Sequence, residues 1–339
     1  MKRPFNNNPA RFERAPSLPS CQSAMTYSLP RVVATQLPPA FNRVFQQQMP
    51  ETELLQVPAS TDFSLPPEVE ILLAAPYSHA GGTLPEQPPA GWPFGLKWVQ
   101  LISVGLDFYP SWMFQVDKVT SVRGTSANAL AEFALAAIFA HAKQLPQLWI
   151  KEAAAWKGRR MADVSGATLG ILGYGSIARA LIPKAQALGM AVACCRHSER
   201  PFAETGVTRA SSLGELMAIS DHLLLAAPGT AETHHIVNRD TLAMARPGLH
   251  LINLARGSLI DDAALLGALD SKQLSRATLD VTHPEPLPAH HPFYSHPGVF
   301  LSPHNSVMTP GTMANMGELF GRNLYRYCHG EPLLEVVVR

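Results

Sequence analysis

The chain is poor in charge. Lys, Arg, Asp and Glu make up 16% of its 339 residues, against about 25% in an average globular chain. With 27 bases against 26 acids there is almost no net field, which excludes the broad attraction that nucleic acid or an anionic membrane surface requires. Four cysteines, two of them the adjacent Cys194 and Cys195, make no disulfide framework. No run reaches the ~18 uninterrupted apolar residues of a transmembrane helix. Near the start, Asn6, Asn7, Asn8 and the segment from Arg11 to Arg14 break any signal-peptide core. These absences predict a soluble, cytoplasmic protein of a reducing compartment, with neither nucleic acid nor membrane as partner.

What is present is apolar bulk and an uneven use of proline. Apolar residues amount to 46%, enough for a large core, and the length suits two domains of about 150 residues each. Of 30 prolines, 16 fall within residues 1–93, and only Pro146, Pro183 and Pro201 fall between 128 and 227. A loop-rich front therefore precedes a regular middle. Residues 1–24 are polar and aperiodic and predict a flexible tail, and Met25 is a plausible alternative start.

Strand-like runs follow at Arg31–Thr35, Val69–Leu73, Lys97–Ile102 and Val116–Val122. An Ala-rich stretch from Ala129 to Ala140 predicts a long helix with Ser126 as its cap. Beyond Trp156, strands at Thr168–Leu172, Ala191–Cys195, Leu223–Ala226, Leu249–Leu254 and Ala277–Val281 alternate with helical or turn segments, Ile177–Leu188 among them. Near-continuous apolar strands alternating with helices predict an α/β fold with a parallel sheet covered on both faces.

The segment Gly173-Tyr174-Gly175-Ser176-Ile177-Ala178 ends one such strand and opens a helix. There Gly173 permits the tight turn, Gly175 lets the backbone approach a pyrophosphate, and Ala178 sits where helix meets strand. Helix-start amides then hold the phosphates. An Asp or Glu about 20 residues on usually holds the adenosine ribose hydroxyl. Here that point carries Arg196, followed by His197 and Ser198, with no acid before Glu199. A guanidinium there suits a 2′-phosphate, so NADP(H) is favoured, NAD(H) being the alternative if Arg196 merely lies over adenine.

Three further patches end strands on the ligand-binding edge. They are Ile252–Asp261 with Asn253-Leu254-Ala255-Arg256-Gly257, Leu279–Pro288 with His283-Pro284-Glu285-Pro286, and Leu301–Ser306 with Ser302-Pro303-His304. Together with the glycine turn, Ser103–Asp107, Ala131-Glu132 and Ala227–Thr233, they resemble the D-isomer-specific 2-hydroxyacid dehydrogenase family, from about residue 97 to 330. Residues 1–90 resemble it only in outline.

The resemblance implies a Rossmann-type cofactor domain, 128–306, inserted into a smaller flavodoxin-like substrate domain of 25–127 plus 307–339. It also implies a site in the cleft between them and hydride transfer to a small 2-oxo acid, glyoxylate or hydroxypyruvate being nearest. Arg256 would grip the substrate carboxylate and carbonyl, a planar group that suits a guanidinium fork. His304 would be the acid–base group, with Glu285 orienting it and favouring its protonated form. Val104 and Gly105 would complete the carboxylate site. The cofactor would touch Gly173, Tyr174, Gly175, Ser176, Ile177, Ala178, Arg196, His197, Ser198, Ala227, Pro228, Thr233, Leu254, Ala255, Asp280 and Ser306, with Asp280 on the nicotinamide carboxamide. Homodimers through the cofactor domain are common in the family, and Leu145–Trp156 is apolar enough to supply an interface.

Other readings stand beside this one. Relatives on the same fold act as non-catalytic NAD(P)-sensing regulators and can keep the Arg/Glu/His trio. A bulkier acid is a further substrate reading, with Phe108, Tyr109, Trp112 and Met308 as pocket lining. His283, His290, His291, His296 and His304 crowd one span, but their proline-broken spacings match no metal-ligand pattern and no metal is expected. Cys194 and Cys195 read as strand packing rather than redox groups.

Overall fold

The computed structural model describes residues 29–77, 83–145 and 147–337, so the tail expected at 1–24 lies outside the described residues. Two parallel sheets divide the strands. The first contains β1 (Val32–Thr35), β2 (Glu53–Gln56), β3 (Ile71–Ala74), β4 (Trp98–Leu101) and β5 (Lys118–Thr120) in the order β2-β1-β3-β4-β5. The second contains β6 (Thr168–Leu172), β7 (Ala191–Cys195), β8 (Val207–Arg209), β9 (His222–Leu225), β10 (Leu249–Asn253), β11 (Leu274–Leu279) and β12 (Val299–Leu301). Its order is β12-β11-β10-β9-β6-β7-β8. The first order is flavodoxin-like and the second is the doubly wound dinucleotide-binding order. In the second the direction of winding reverses between β6 and β9.

The strand sequences explain both layers. In β9, Leu223 and Leu225 join one core cluster while Leu224 joins the cluster on the opposite face, as a side-chain period of two requires. Helix α2 (Ala127–Ala142) lays Ala131, Ala134 and Ile138 against Ala178, Leu181 and Ala185 of α3 (Ser176–Ala187). Small residues on both helices let them approach closely. On the first sheet, α1 (Pro39–Gln46) and the C-terminal helix bury Phe45, Phe320 and Leu324 with Trp98 and Ile71. Between them run α4 (Leu213–Ile219), α5 (Arg239–Ala243) and α6 (Asp262–Asp270); the C-terminal helix, α7, spans Pro310–Cys328. Residues after the second sheet thus return to pack on the first.

The strands of the middle segment stand within three residues of their expected bounds, and Thr168–Leu172 and Ala191–Cys195 coincide with them. The third strand begins at Ile71 rather than Val69, because Val69 N–H closes a turn onto Pro66 C=O at 3.1 Å. Ser126 precedes α2, but its side chain makes no capping bond. Strands β2, β8 and β12 and helix α7 were not anticipated. The three strands are short, and apart from their pairing they carry little of the buried periodicity that marks an interior strand.

Candidate active site

Strand β6 delivers the chain to the glycine turn at the reversal point. Gly173 has φ +102°, and a Cβ there would lie 2.7 Å from the Ala226 carbonyl oxygen, so only glycine fits between β6 and β9. Its N–H donates to Cys195 C=O at 2.8 Å, tying β6 to β7. Gly175 is the N-cap of α3 and provides no side-chain cap. A Cβ on Gly175 would meet nothing within 4 Å, so packing does not demand glycine there. The turn is an open cradle over helix-start amides, which suits an approaching phosphate. Ala178 is fully buried at the helix–sheet contact. The residues present therefore fit a dinucleotide.

Arg196 follows β7 beside this turn. Its Nε donates to Ser198 C=O at 3.0 Å and one Nη donates to Arg200 C=O and to Pro201 C=O. The guanidinium also lies over the Tyr174 ring at 4.8 Å and the Phe202 ring at 5.0 Å. Arg209 donates to the same Ser198 and Arg200 carbonyls. Two arginines and two aromatic rings thus order the loop 198–202, leaving His197 and Ser198 exposed at its mouth.

The Asn253-to-Gly257 turn is built by its own side chains. Asn253 Nδ2 donates to Arg256 C=O at 2.8 Å, and Asn253 Oδ1 accepts from Ala255 N–H at 3.0 Å. Gly257 packs so tightly on the end of β11 that a Cβ would lie 2.0 Å from the Thr282 carbonyl carbon. Arg256 is thereby aimed across to the loop after β4. There Nε and Nη2 donate to the two Asp107 carboxylate oxygens at 3.2 and 3.1 Å. The guanidinium lies 5.2 Å from the Phe108 ring centroid. It rests on Gly105 so closely that a Cβ there would stand 1.8 Å from Nη2. Asp107 has no role of its own among the sequence expectations, and Phe108 enters them only as pocket lining. The available signal was an acid two positions after the Gly105 backbone.

Glu285 and His304 meet directly. Nδ1 of His304 is 2.9 Å from Glu285 Oε2, and Thr282 N–H donates to Oε1 at 2.9 Å. Burial would raise the Glu285 carboxyl, but the His304 and Thr282 bonds outweigh it and hold the group below its ordinary value. The carboxylate fixes Nδ1 as the protonated nitrogen and leaves Nε2 as the one that exchanges protons. The His304 ring centroid lies 6.1 Å from that of Phe108. Arg256, Glu285 and His304, distant in sequence, therefore gather around one aromatic wall.

Asp280 is almost fully buried and organises the loop that carries His304. Ser302 Oγ and Asn305 N–H donate to Oδ1 at 2.5 and 3.1 Å, Ser306 N–H donates to Oδ2 at 3.1 Å, and Ser306 Oγ also donates to Oδ2. His304 adopts φ +51°, a left-handed conformation uncommon for non-glycine residues, with its N–H donated to Asp280 C=O at 2.8 Å. All these carboxylate bonds stay within the loop rather than pointing to a ligand. Thr233 Oγ1 similarly donates to Pro228 C=O at 2.7 Å, closing the loop after β9 near Ala227. Leu254 is buried, Ala255 is half-buried and Val104 is 46% exposed.

Of the aromatic lining expected, Phe108 alone faces the trio. Tyr109 and Trp112 are each 2% exposed core residues, held by bonds to Ser103 and to Pro85 C=O. Met308 is 60% exposed. A cavity of about 510 Å³ touches Glu285 and His304 and is walled by Asp280, Leu287, Tyr294 and Leu301.

Residues 135–306 match the family described as D-isomer specific 2-hydroxyacid dehydrogenase, NAD binding domain. A glyoxylate reductase of Thermococcus onnurineus is 33% identical over 224 residues, covering 63% of this chain and 67% of that protein. A family protein from Aeromonas salmonicida superposes with a TM-score of 0.74 at 26% identity, covering 91% of this chain and 99% of that one. A D-isomer specific 2-hydroxyacid dehydrogenase from Xanthobacter autotrophicus, solved with NADPH and MES, gives a TM-score of 0.72 at 25% identity, covering 92% and 98%. Among the described residues no helix is long and apolar enough to cross a membrane. The doubly wound sheet, its open glycine turn and these matches place the chain in the D-isomer-specific 2-hydroxyacid dehydrogenase family.

Proposed function

We propose that this chain reduces a small 2-oxo acid, of glyoxylate or hydroxypyruvate size, to the D-2-hydroxy acid with NADPH. The observation that carries the reading is the 2.9 Å His304–Glu285 pair, set with Arg256 around Phe108. The Thermococcus relative is called a glyoxylate reductase and the Xanthobacter neighbour was solved with NADPH, and both support it.

When bound, the nicotinamide cofactor supplies the hydride. Gly173 to Ala178 would hold its pyrophosphate, and Arg196, His197 and Ser198 would meet the 2′-phosphate. Ala227, Pro228, Thr233, Leu254, Ala255, Asp280 and Ser306 would line its course along the sheet edge. Arg256, with the Val104 and Gly105 amides, holds the substrate carboxylate. As charge develops on the carbonyl oxygen, His304 Nε2 gives it a proton. Glu285 keeps the imidazole aimed through its bond to Nδ1. We take residues 25–127 with 307–339 as the substrate-side unit and 128–306 as the cofactor-side unit, whose closure would expel water.

We also take the chain to work as a homodimer. Trp149 is 68% exposed and Trp156 is 83% exposed, and Ile150 lies between them in the segment expected at an interface. Surfaces of that kind in soluble proteins mark interaction sites.

The test is NADPH oxidation against a panel of 2-oxo acids. Turnover that favours the two- and three-carbon acids supports the reading; turnover of branched acids alone overturns the size assignment. The Asp107 carboxylate already seated in the Arg256 fork favours a second reading, a nucleotide-sensing regulator. NADPH binding without turnover of any acid would decide for that reading.

A further inference from the structure

The second sheet carries a group of histidines at the edge opposite to its ligand edge. His222 opens β9, His250 is the second residue of β10, and His141 lies in the last turn of α2. The glycine turn, Arg256, Glu285 and His304 follow the other ends of the strands of this parallel sheet. One ring nitrogen from each of the three histidines lies within 4.8 Å of the others. Nδ1 of His222 and Nδ1 of His250 share a hydrogen bond at 3.1 Å, so one of them carries the proton that a metal ion would have to displace. Two ligands of a tetrahedral zinc ion, with Zn–N bonds of ~2.0 Å, stand ~3.3 Å from each other.

The outer nitrogens of His250 and His141 are already tethered. His250 Nε2 pairs with Thr278 Oγ1 at 2.9 Å, and His141 Nε2 pairs with Ser275 Oγ at 2.9 Å. The Ser275 hydroxyl gives its proton to Gly248 C=O at 2.7 Å. His141 Nε2 must then be the donor, so its Nδ1 carries a lone pair. That Nδ1 is buried and has no hydrogen-bond partner among the described residues. A buried acceptor left unsatisfied is unfavourable, and a cation would satisfy it. Imidazole ligands whose other nitrogen is held by a hydroxyl or carbonyl are the usual pattern of metal sites.

We propose that His141, His222 and His250 form a three-imidazole site for Zn2+ or a similar late first-row divalent ion, which ties α2 to the sheet. Burial keeps the rings in the neutral, lone-pair form: it draws His141 and His222 down to about 4 and His250 well below its ordinary value. Three uncharged nitrogen donors suit such ions and not Mg2+ or Ca2+, which require oxygen ligands. The charged groups facing the cluster are Asp221 beside His222, and Arg276, whose guanidinium stacks on Phe300 at 3.4 Å. Arg276 opposes a dication and sets the affinity below that of an all-anionic cage. No spacing rule reveals this site, because its ligands come from a helix and two strands between residues 141 and 250.

The test is a Co2+ titration of the metal-stripped full chain, with NADPH binding as a check on folding. Expected are one bound equivalent with the strong visible absorption of tetrahedral cobalt, its loss on adding Zn2+, and a Zn2+-dependent rise in Tm. His141→Gln should lose the absorption, and Thr278→Val should weaken binding about 10-fold or more. Arg276→Gln should tighten it, and His304→Gln should leave it intact. A weak six-coordinate cobalt spectrum in the wild-type chain overturns the proposal even if a variant fails to fold. So does an undiminished signal in His141→Gln.

Discussion

Arg256 and Asp107 form a two-bond fork, Nε to Oδ2 at 3.2 Å and Nη2 to Oδ1 at 3.1 Å, that joins the loop after β10 to the loop after β4. It is the geometry in which a guanidinium holds any carboxylate, so an internal anion occupies the place proposed for the substrate's. Asp107 is half exposed, and exposed pairs contribute only about 0–1 kcal/mol. An incoming 2-oxo acid can therefore displace it. Asp107→Asn removes the competitor, and steady-state kinetics should show a KM for the 2-oxo acid several-fold lower at similar kcat. A raised KM would mean that Asp107 positions Arg256 instead of competing for it.

Arg256→Ala should cost both binding and rate, because the fork serves the ground state and the transition state alike. The expected pattern is a raised KM with a lowered kcat and an unchanged NADPH affinity. An unchanged KM for the acid removes Arg256 from carboxylate recognition.

The Glu285–His304 pair carries a pH signature. His304→Gln should cut kcat by ~10²–10⁴, the usual worth of general acid catalysis, with NADPH binding kept. Glu285 is held below its ordinary carboxyl value, because the His304 and Thr282 bonds outweigh burial, so it stays ionised through the neutral range. Removing that charge in Glu285→Gln should lower kcat, because the imidazole loses the carboxylate that aims it, with NADPH binding kept. The depressed Glu285 carboxyl also stabilises the fold above its ordinary value of 4.5, and that contribution disappears as pH falls through the lower folded value. An unchanged kcat in Glu285→Gln, with only the acid-side stability altered, would leave the acid as a loop anchor.

The regular middle of the chain was legible because its strands are buried on both faces and bounded by glycine or polar turns. Arg256 and His304 were legible because each follows the end of a strand beside residues that build its turn: Asn253 and Gly257 for Arg256, and Ser302 for His304. What escaped was what sequence spacing does not encode. Asp107 meets Arg256 only through packing of two loops 149 residues apart. The histidines 141, 222 and 250 converge only because β9 and β10 are neighbours under α2. Tyr109 and Trp112 were read as pocket lining because aromatics beside a cleft motif suit either fate, and here the first sheet's core claims them. The role of Asp280 in ordering the His304 loop was not legible either, since its bonds to Ser302 and Ser306 depend on how that loop folds back.

Cofactor choice rests on Arg196, where the family's acid-bearing version would hold a ribose hydroxyl. Its guanidinium is held by the Ser198 and Pro201 carbonyls at 3.0 and 3.1 Å and lies against both the Tyr174 and Phe202 rings. The charge is therefore fixed in position beside the turn before any ligand arrives. A 2′-phosphate meeting it would gain a charge-assisted contact of ~1.5–3 kcal/mol, which at ~1.4 kcal/mol per decade is roughly a 10- to 150-fold preference for NADPH. Because the contact is near the surface, the preference should grow at low salt. Arg196→Asp should reverse the order, repelling the phosphate while giving a ribose hydroxyl an acceptor. The measurement is kcat/KM for NADPH and NADH in wild type and variant at two ionic strengths. Equal use of both cofactors by the wild type would leave Arg196 as the residue that orders loop 198–202 and stacks beside adenine.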